Sequence, residues 1–232
     1  MKTACSFYTV ATETGHKVYF SKKTTRSEVF SFDVSFDIKV ENPKLIAELA
    51  VIRHVLFETD LVRKDITAET VSLQCSQGAI KKLVRRSSNK TDGYTFARFI
   101  NTRLPGVEIN IKHDKTLLKD GCVQKKLKIS KHPQETEETV IGKVKLTEHA
   151  VARFHERFYP AKPAGSAAVK LLELLHSPAL KELDINDRRR MKAVVRHQKN
   201  AKYWEAHDAC FVTVTQPNGE TALVTVLKQQ AA

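Results

Sequence analysis

The residues best suited to chemistry lie between Leu146 and Phe158, in the run Leu-Thr-Glu-His-Ala-Val-Ala-Arg-Phe-His-Glu-Arg-Phe. At about 100° per residue, a helix over this run gathers Val151, Phe154 and Phe158 on one apolar face. His149, Arg153, Glu156 and Arg157 then form an adjacent polar stripe. Solubility alone does not call for a histidine and two arginines a turn apart. An imidazole titrates near ~6.5, so it can take and give a proton at neutral pH. A guanidinium stays charged and presents a fork of N–H donors to anionic oxygens. A solvated face laced with salt bridges is the competing reading of the same stripe.

Two dense groups of cations stand out beside it. Lys81, Lys82, Arg85, Arg86 and Lys90 recur at i and i+4, which puts them on one helix face. Arg188, Arg189, Arg190, Lys192, Arg196, Lys199 and Lys202 follow one another, with His197 among them and no acid between. Solvated faces usually intersperse the two signs. The expectation is phosphate contact with release of counterions, the alternative a plain basic surface.

The chain that carries these groups has 232 residues, a net charge of +13 and a pI near 9.6. Residues 1–112 hold 18 Lys and Arg against 12 Asp and Glu, and residues 144–232 hold 14 against 9. The excess is therefore a property of both halves and not of a tail. It argues for a polyanionic partner, nucleic acid or an anionic membrane. No apolar stretch approaches the ~20 residues of a spanning helix, and the first residues break into Ser, Thr and Glu before a signal-peptide core forms. A cytoplasmic location and no membrane partner are expected. Cys5, Cys75, Cys122 and Cys210 stand singly, without the paired spacing of a zinc site. Neither metal nor cofactor is expected.

The elements that must position these residues are legible in outline. Phe7–Ala11, Lys17–Phe20 and Val29–Ile38 alternate around a turn at Thr14-Gly15, predicting a three-stranded meander. Asn42-Pro43 opens a helix to about Phe57, with Leu45, Leu49, Ile52 and Leu56 as its stripe. Thr70–Leu73 predicts a fourth strand. Ser76 is expected to cap a basic helix through Arg86, followed by a loop, a helix over Tyr94–Thr102 and a fifth strand over Val107–Ile111. Ser130–Thr139 is polar, acidic and unpatterned, and is taken as a linker. Beyond it come a strand over Val140–Leu146, the Thr147-capped helix, a second helix over Ser166–His176, and strands over Phe211–Thr215 and Thr221–Leu227 around Pro217-Asn218-Gly219.

The order β-β-β-α-β-α-(α)-β of the first half resembles the ribonuclease H-like fold. One local match supports it: Ala47-Glu48-Leu49-Ala50 falls on the stretch of the first long helix that carries a metal-binding glutamate in that family. The resemblance implies an aspartate in the first strand, where this chain has Tyr8-Thr9-Val10-Ala11. It implies another at the end of the fourth strand, where Gln74 or Cys75 stands before Ser76. Only Asp114 or Asp120 answers to the last. Two-metal cleavage needs several carboxylates to hold ions about 4 Å apart. The half is therefore expected to be a catalytically dead platform, with Glu48 a solvated helix carboxylate.

The second half, through Leu146-Thr147-x-His149-Ala150-x-x-Arg153-x-x-x-Arg157 and the closing Ala222–Leu227, resembles RelE/BrnT-like ribonuclease toxins of the barnase–EndoU–colicin–RelE group. The resemblance implies metal-free RNA cleavage, in which the ribose 2′-OH attacks the adjacent phosphate. That step needs a base, an acid and cations on the pentavalent phosphate. His149 would supply the proton transfers and Arg153 and Arg157 the positive charge. Thr225, Arg196, Tyr203 and His207 are candidates to complete the site. Tyr203 and Trp204 are either base-stacking or core aromatics.

The expectation is thus an α+β chain of two domains. Residues 1–129 would be a ribonuclease H-like platform, 130–139 a linker and 140–232 a RelE-like βααβββ ribonuclease. Nucleic-acid contacts are expected from Lys81, Lys82, Arg85, Arg86, Arg188, Arg189, Arg190, Lys192, Arg196, Lys199, Lys202 and Tyr203. RNA is the expected partner, the ribosome and DNA being alternatives, with a cognate protein inhibitor also in view. The competing functions are a binding module without catalysis and a mobile-element-encoded inhibitor of a host protein.

Overall fold

Alternating apolar residues produce the first sheet. In the computed structural model, Thr3–Thr12 (β1), Gly15–Lys22 (β2) and Val29–Phe36 (β3) run antiparallel. The structure describes residues 2–23, 28–62, 65–85, 87–90, 92–119, 121–133, 135–161, 164–183, 201–217 and 219–228. It divides into two compact units, residues 1–133 and 134–232. The chain is an α+β protein, with two six-stranded sheets and five α-helices among the described residues.

In the first unit the chain leaves the meander through α1, Pro43–Phe57. Its predicted stripe is fully used: Leu45, Leu49, Ile52 and Leu56 are all buried. Asn42 is the N-cap residue, but its side chain makes no capping bond. Its amide instead donates to Asp92 Oδ1 at 2.7 Å, while Asp92 Oδ2 accepts the N–H groups of Glu41 and Asn42. The entry to α1 is therefore tied to the start of α3, Gly93–Arg103. Leu83 and Leu45 pack directly on the Gly93 backbone, where a Cβ would lie 2.9 Å and 3.0 Å from their side chains.

Val71–Cys75 (β4) joins β1 in parallel, and Glu108–Ile111 (β5) joins β4 in parallel. Between them lies α2, Gly78–Val84, with Arg85 as its C-cap residue. Ser76 does not cap it, because its N–H and hydroxyl are both committed to Glu48, and Gln77 takes the N-cap position. A 3-10 turn at Lys115–Leu117 rests against β2. It leads to a strand the alternation did not announce, Val123–Ile129 (β6), parallel to β3. The sheet order is β5-β4-β1-β2-β3-β6.

The second unit departs from expectation at its start. Residues 130–139 are not all linker: Thr136–Thr139 (β7) forms a hairpin with Gly142–Leu146 (β8). The strand was hidden because its buried position is an acid: Glu137 is buried between exposed Thr136 and Glu138, and Glu135 just before the strand is buried too. Gly142 turns the chain at φ +91°, and Thr139 Oγ1 donates to its carbonyl at 2.8 Å. Glu148–Phe158 (α4) and Ala164–Leu175 (α5) follow. The sheet then closes with Lys181–Glu182 (β9), Ala201–Ala206 (β10), Ala209–Thr215 (β11) and Thr221–Lys228 (β12), in the order β7-β8-β12-β11-β10-β9. Val144, Leu146, Phe154, Leu171, Leu172, Phe211, Leu223 and Val226 fill its core.

Candidate active site and nucleic-acid interface

Glu48 is not solvated. Its side chain is 0% exposed, which corrects the expectation of a surface carboxylate. A buried carboxylate must be supplied with donors, and here they come from three elements. Thr9 of β1 donates its hydroxyl to Oε2 at 2.6 Å. Ser76, just past β4, donates its hydroxyl to the same oxygen and its N–H to Oε1 at 2.6 Å. The N–H of Gln77 reaches Oε1 at 3.3 Å. Burial pushes the Glu48 carboxyl above its ordinary range, and the hydroxyl and amide donors of Ser76, Thr9 and Gln77 pull against that shift.

Thr9 lies in the first-strand stretch where the ribonuclease H resemblance asked for an acid, and Ser76 directly follows Gln74 and Cys75, where it asked for another. Thr9 and Ser76 bring hydroxyls to that spot instead of negative charge. Cys75 beside them is buried, and burial pushes its thiol up. Asp114 lies apart in a local turn, bonded to Thr116 and Lys112, which hold its carboxyl below the usual range. Asp120 lies outside the described residues. Among the described residues, no three His, Cys, Asp or Glu side chains gather as metal ligands.

The second candidate centre is α4. Thr147 caps it as expected, accepting the Ala150 N–H at 3.1 Å. The same hydroxyl donates to the Leu223 carbonyl of β12 at 2.8 Å, which fixes the start of the helix on the sheet. At the other end Arg157 donates to the Val226 carbonyl. That guanidinium is thus spent, at least in part, on holding α4 to β12. Phe154 is buried and stacks on Phe158 at 4.9 Å between centroids. The opposite stripe stays open: His149 is exposed, and Arg153 pairs with Glu156 at 2.8 Å near the surface.

Thr225 does not join that stripe. A bulge between Val212 and Thr213 sets the register so that Thr225 pairs with Val212, while Val226 pairs with Phe211. Lys228, two residues on from Val226, lies over the Phe158 ring of α4. Val226 and Lys228 therefore face the helix and Thr225 faces away from it, buried. Tyr203 pairs with Val212 and shares the face of Thr225. Burial, and after it the nearby Cys210, pushes the Tyr203 hydroxyl up. Trp204 lies on the helix side, donating its indole N–H to Thr213 at 2.9 Å, with Lys202 over its ring. His207 sits exposed in the β10–β11 turn at φ 56°.

Of the first cation group, Lys82, Arg85 and Lys90 are exposed and Lys81 is half-buried. None of the four has an acidic partner among the described residues. Lys81 and Lys82 fall in the last turn of α2, where the helix dipole also favours positive charge. Arg86 lies outside the described residues, as do Arg188, Arg189, Arg190, Lys192, Arg196, His197 and Lys199. Lys202, on β10, pairs with Glu182 at 3.3 Å.

Two features escaped the sequence. The Thr9–Glu48–Ser76 cluster needs three segments brought together, and no spacing announces it. The facing of Tyr8 and Tyr19 follows from the position of the β1–β2 turn and was within reach of the alternation. No protein-family model, curated protein or solved structure matches the chain.

Proposed function

We propose that this chain is an RNA-binding protein in which a ribonuclease H-like unit without metal chemistry accompanies a RelE-like unit that cleaves RNA without metal. In the first unit the reading is supported by the Thr9 and Ser76 hydroxyls around Glu48. The donor set satisfies the carboxylate from within the protein and leaves it no role toward a substrate. The observation that carries the catalytic half is His149, exposed on α4 one turn from Arg153. His149 would transfer protons between the 2′-OH and the leaving 5′ oxygen, and Arg153 would hold the phosphate as its charge grows. Arg157 positions α4 on β12 in this account. RNA is the partner, in the cytoplasm.

The test is incubation of the protein with total RNA, with and without EDTA, beside His149→Ala and Arg153→Ala. Cleavage is expected to survive EDTA and to fall by about 10²–10⁴-fold in His149→Ala. Variants that cut as well as the parent would remove the catalytic assignment. A second reading, a binding module without catalysis, is favoured by the placement of Thr225 on the far face and the engagement of Arg157. It predicts salt-steep RNA binding with no products from the parent.

A further inference from the structure

A sheet ends in strands whose outer backbone groups are unpaired, and each such edge has to be guarded against chance pairing. The two sheets end in β5, β6, β7 and β9. Three of these are short, with four residues in β5, four in β7 and two in β9. Strand β6 has seven, and all of them pair with β3 in unbroken register, from Phe30 against Val123 to Phe36 against Ile129. It contains no proline, no glycine and no bulge. No further strand pairs on its outer side among the described residues.

What guards β6 is charge. Val123, Gln124, Lys126 and Lys128 are exposed and Lys125 is half-buried. The alternation places Lys125 on the face that carries Phe32, and Lys126 and Lys128 on the opposite face. Lys128 pairs with Asp37 at 2.9 Å near the surface, while Lys125 and Lys126 have no acidic partner among the described residues. Lys119 and Lys131 extend the run, and from Gly121 to Gln134 the chain holds no acid. A second copy of β6 laid alongside would set lysines against lysines, which is unfavourable. A strand rich in glutamate or aspartate would meet opposite charge on both faces while its backbone paired.

We propose that β6 is a docking edge for an extended acidic segment of another protein, added to the sheet as a further strand. Backbone bonds supply the affinity, and the lysines choose the sign of the partner and exclude a second copy. A nucleic acid matches the edge less well. Its phosphates can meet the lysines, but it offers no ladder to the unpaired N–H and C=O groups. The proposal is separate from the RNA reading, whose contacts lie on other elements.

The experiment uses the full chain and a fluorescein-labelled seven-residue peptide alternating glutamate and valine, with binding read by fluorescence anisotropy. The parent is expected to bind it, less tightly as salt rises. Lys126→Gln should weaken binding about threefold and Lys126→Glu about tenfold, with the urea midpoint unchanged at so exposed a site. A strand presents alternate amides to its two sides. N-methylation of one alternate set of peptide amides should therefore abolish binding, while N-methylation of the other set should leave it within about twofold. Equal binding by the two methylated peptides would leave charge attraction alone and overturn the docking edge. A parent that ignores the peptide, or a Lys126→Glu variant that binds like the parent, would overturn it as well. A short 2′-O-methyl RNA, which 2′-OH attack cannot cut, serves as the control. If Lys126→Glu weakens that RNA as much as the peptide, the lysines are a phosphate surface and the proposal fails. A parent that binds the peptide in this amide-selective way but ignores the RNA would keep the edge and lose only the RNA reading.

Discussion

Glu48 and His149 occupy matching places, each a titratable residue on the first α-helix of its unit, and they end in opposite surroundings. Glu48 is sealed, with hydroxyl and amide donors from β1 and the segment after β4 directed at its two oxygens. His149 is open, and the groups that hold its helix are Thr147 and Arg157 at the two ends. A buried carboxylate whose oxygens accept from three segments of its own protein ties those segments together. An exposed imidazole on a helix fixed at both ends can be removed without disturbing the fold. The contrast lies in what each is bonded to, where residue type alone pointed both ways.

Removing Glu48 is the largest perturbation. Glu48→Ala leaves the Thr9 and Ser76 hydroxyls and two N–H groups unsatisfied around a cavity, and should cost on the order of 3 kcal/mol in urea unfolding. Glu48→Gln keeps the shape, and the hydroxyls can rotate to accept from its amide, so most of that loss should be avoided. The two differ also in pH dependence. Because the folded carboxyl titrates above its ordinary 4.5, the folded state holds the proton more tightly than the unfolded. The parent should therefore lose stability as pH rises from about 4.5 toward the folded value, and Glu48→Gln should not show that loss. A parent and a glutamine variant with parallel pH profiles would mean that the site is less sealed than its geometry.

What the sequence disclosed, and what it hid, follows the same division. Local signals located the meander, α1, α3 and α4, because their apolar residues recur at the period of the element they form. The Thr147 cap was visible for the same reason. Hidden were the features made by distant segments: the ring of donors around Glu48, and Asp92 reaching back to the start of α1. Strand β6 escaped because Lys125, Lys126 and Lys128 interrupt its apolar positions, as suits an exposed edge. Strand β7 escaped because its buried side chain is a glutamate, Glu137. In the candidate active site, the helix stripe was legible and the bulge that turns Thr225 to the far face was not.

Thr147→Ala perturbs the open site at its anchor. It removes a helix cap and a cross-link to β12 together, and should cost about 1–2 kcal/mol in thermal or urea unfolding. Thr147→Ser keeps the hydroxyl and should recover most of this. If His149 works from a helix held in place, cleavage should fall in the alanine variant and return with serine. Equal cleavage by both would separate the chemistry from the position of α4.

The smallest effect on stability is the sharpest on function. Arg153 and Glu156 form an i,i+3 pair whose side chains remain about half exposed, 43% and 55%. Such pairs contribute roughly 0.2–0.5 kcal/mol, so Glu156→Gln should leave the unfolding curve nearly unchanged. Its effect on RNA should be of the opposite kind. The carboxylate competes with phosphate for the Arg153 guanidinium and repels the backbone. Its removal should tighten RNA binding a few-fold at low salt, with the gain fading as salt screens the charge. If Arg153 serves only to stabilise α4, Glu156→Gln will lower stability slightly and leave RNA binding as it was. The direction of the two small changes then decides whether the stripe beside His149 is a solvated helix face or the phosphate side of an active site.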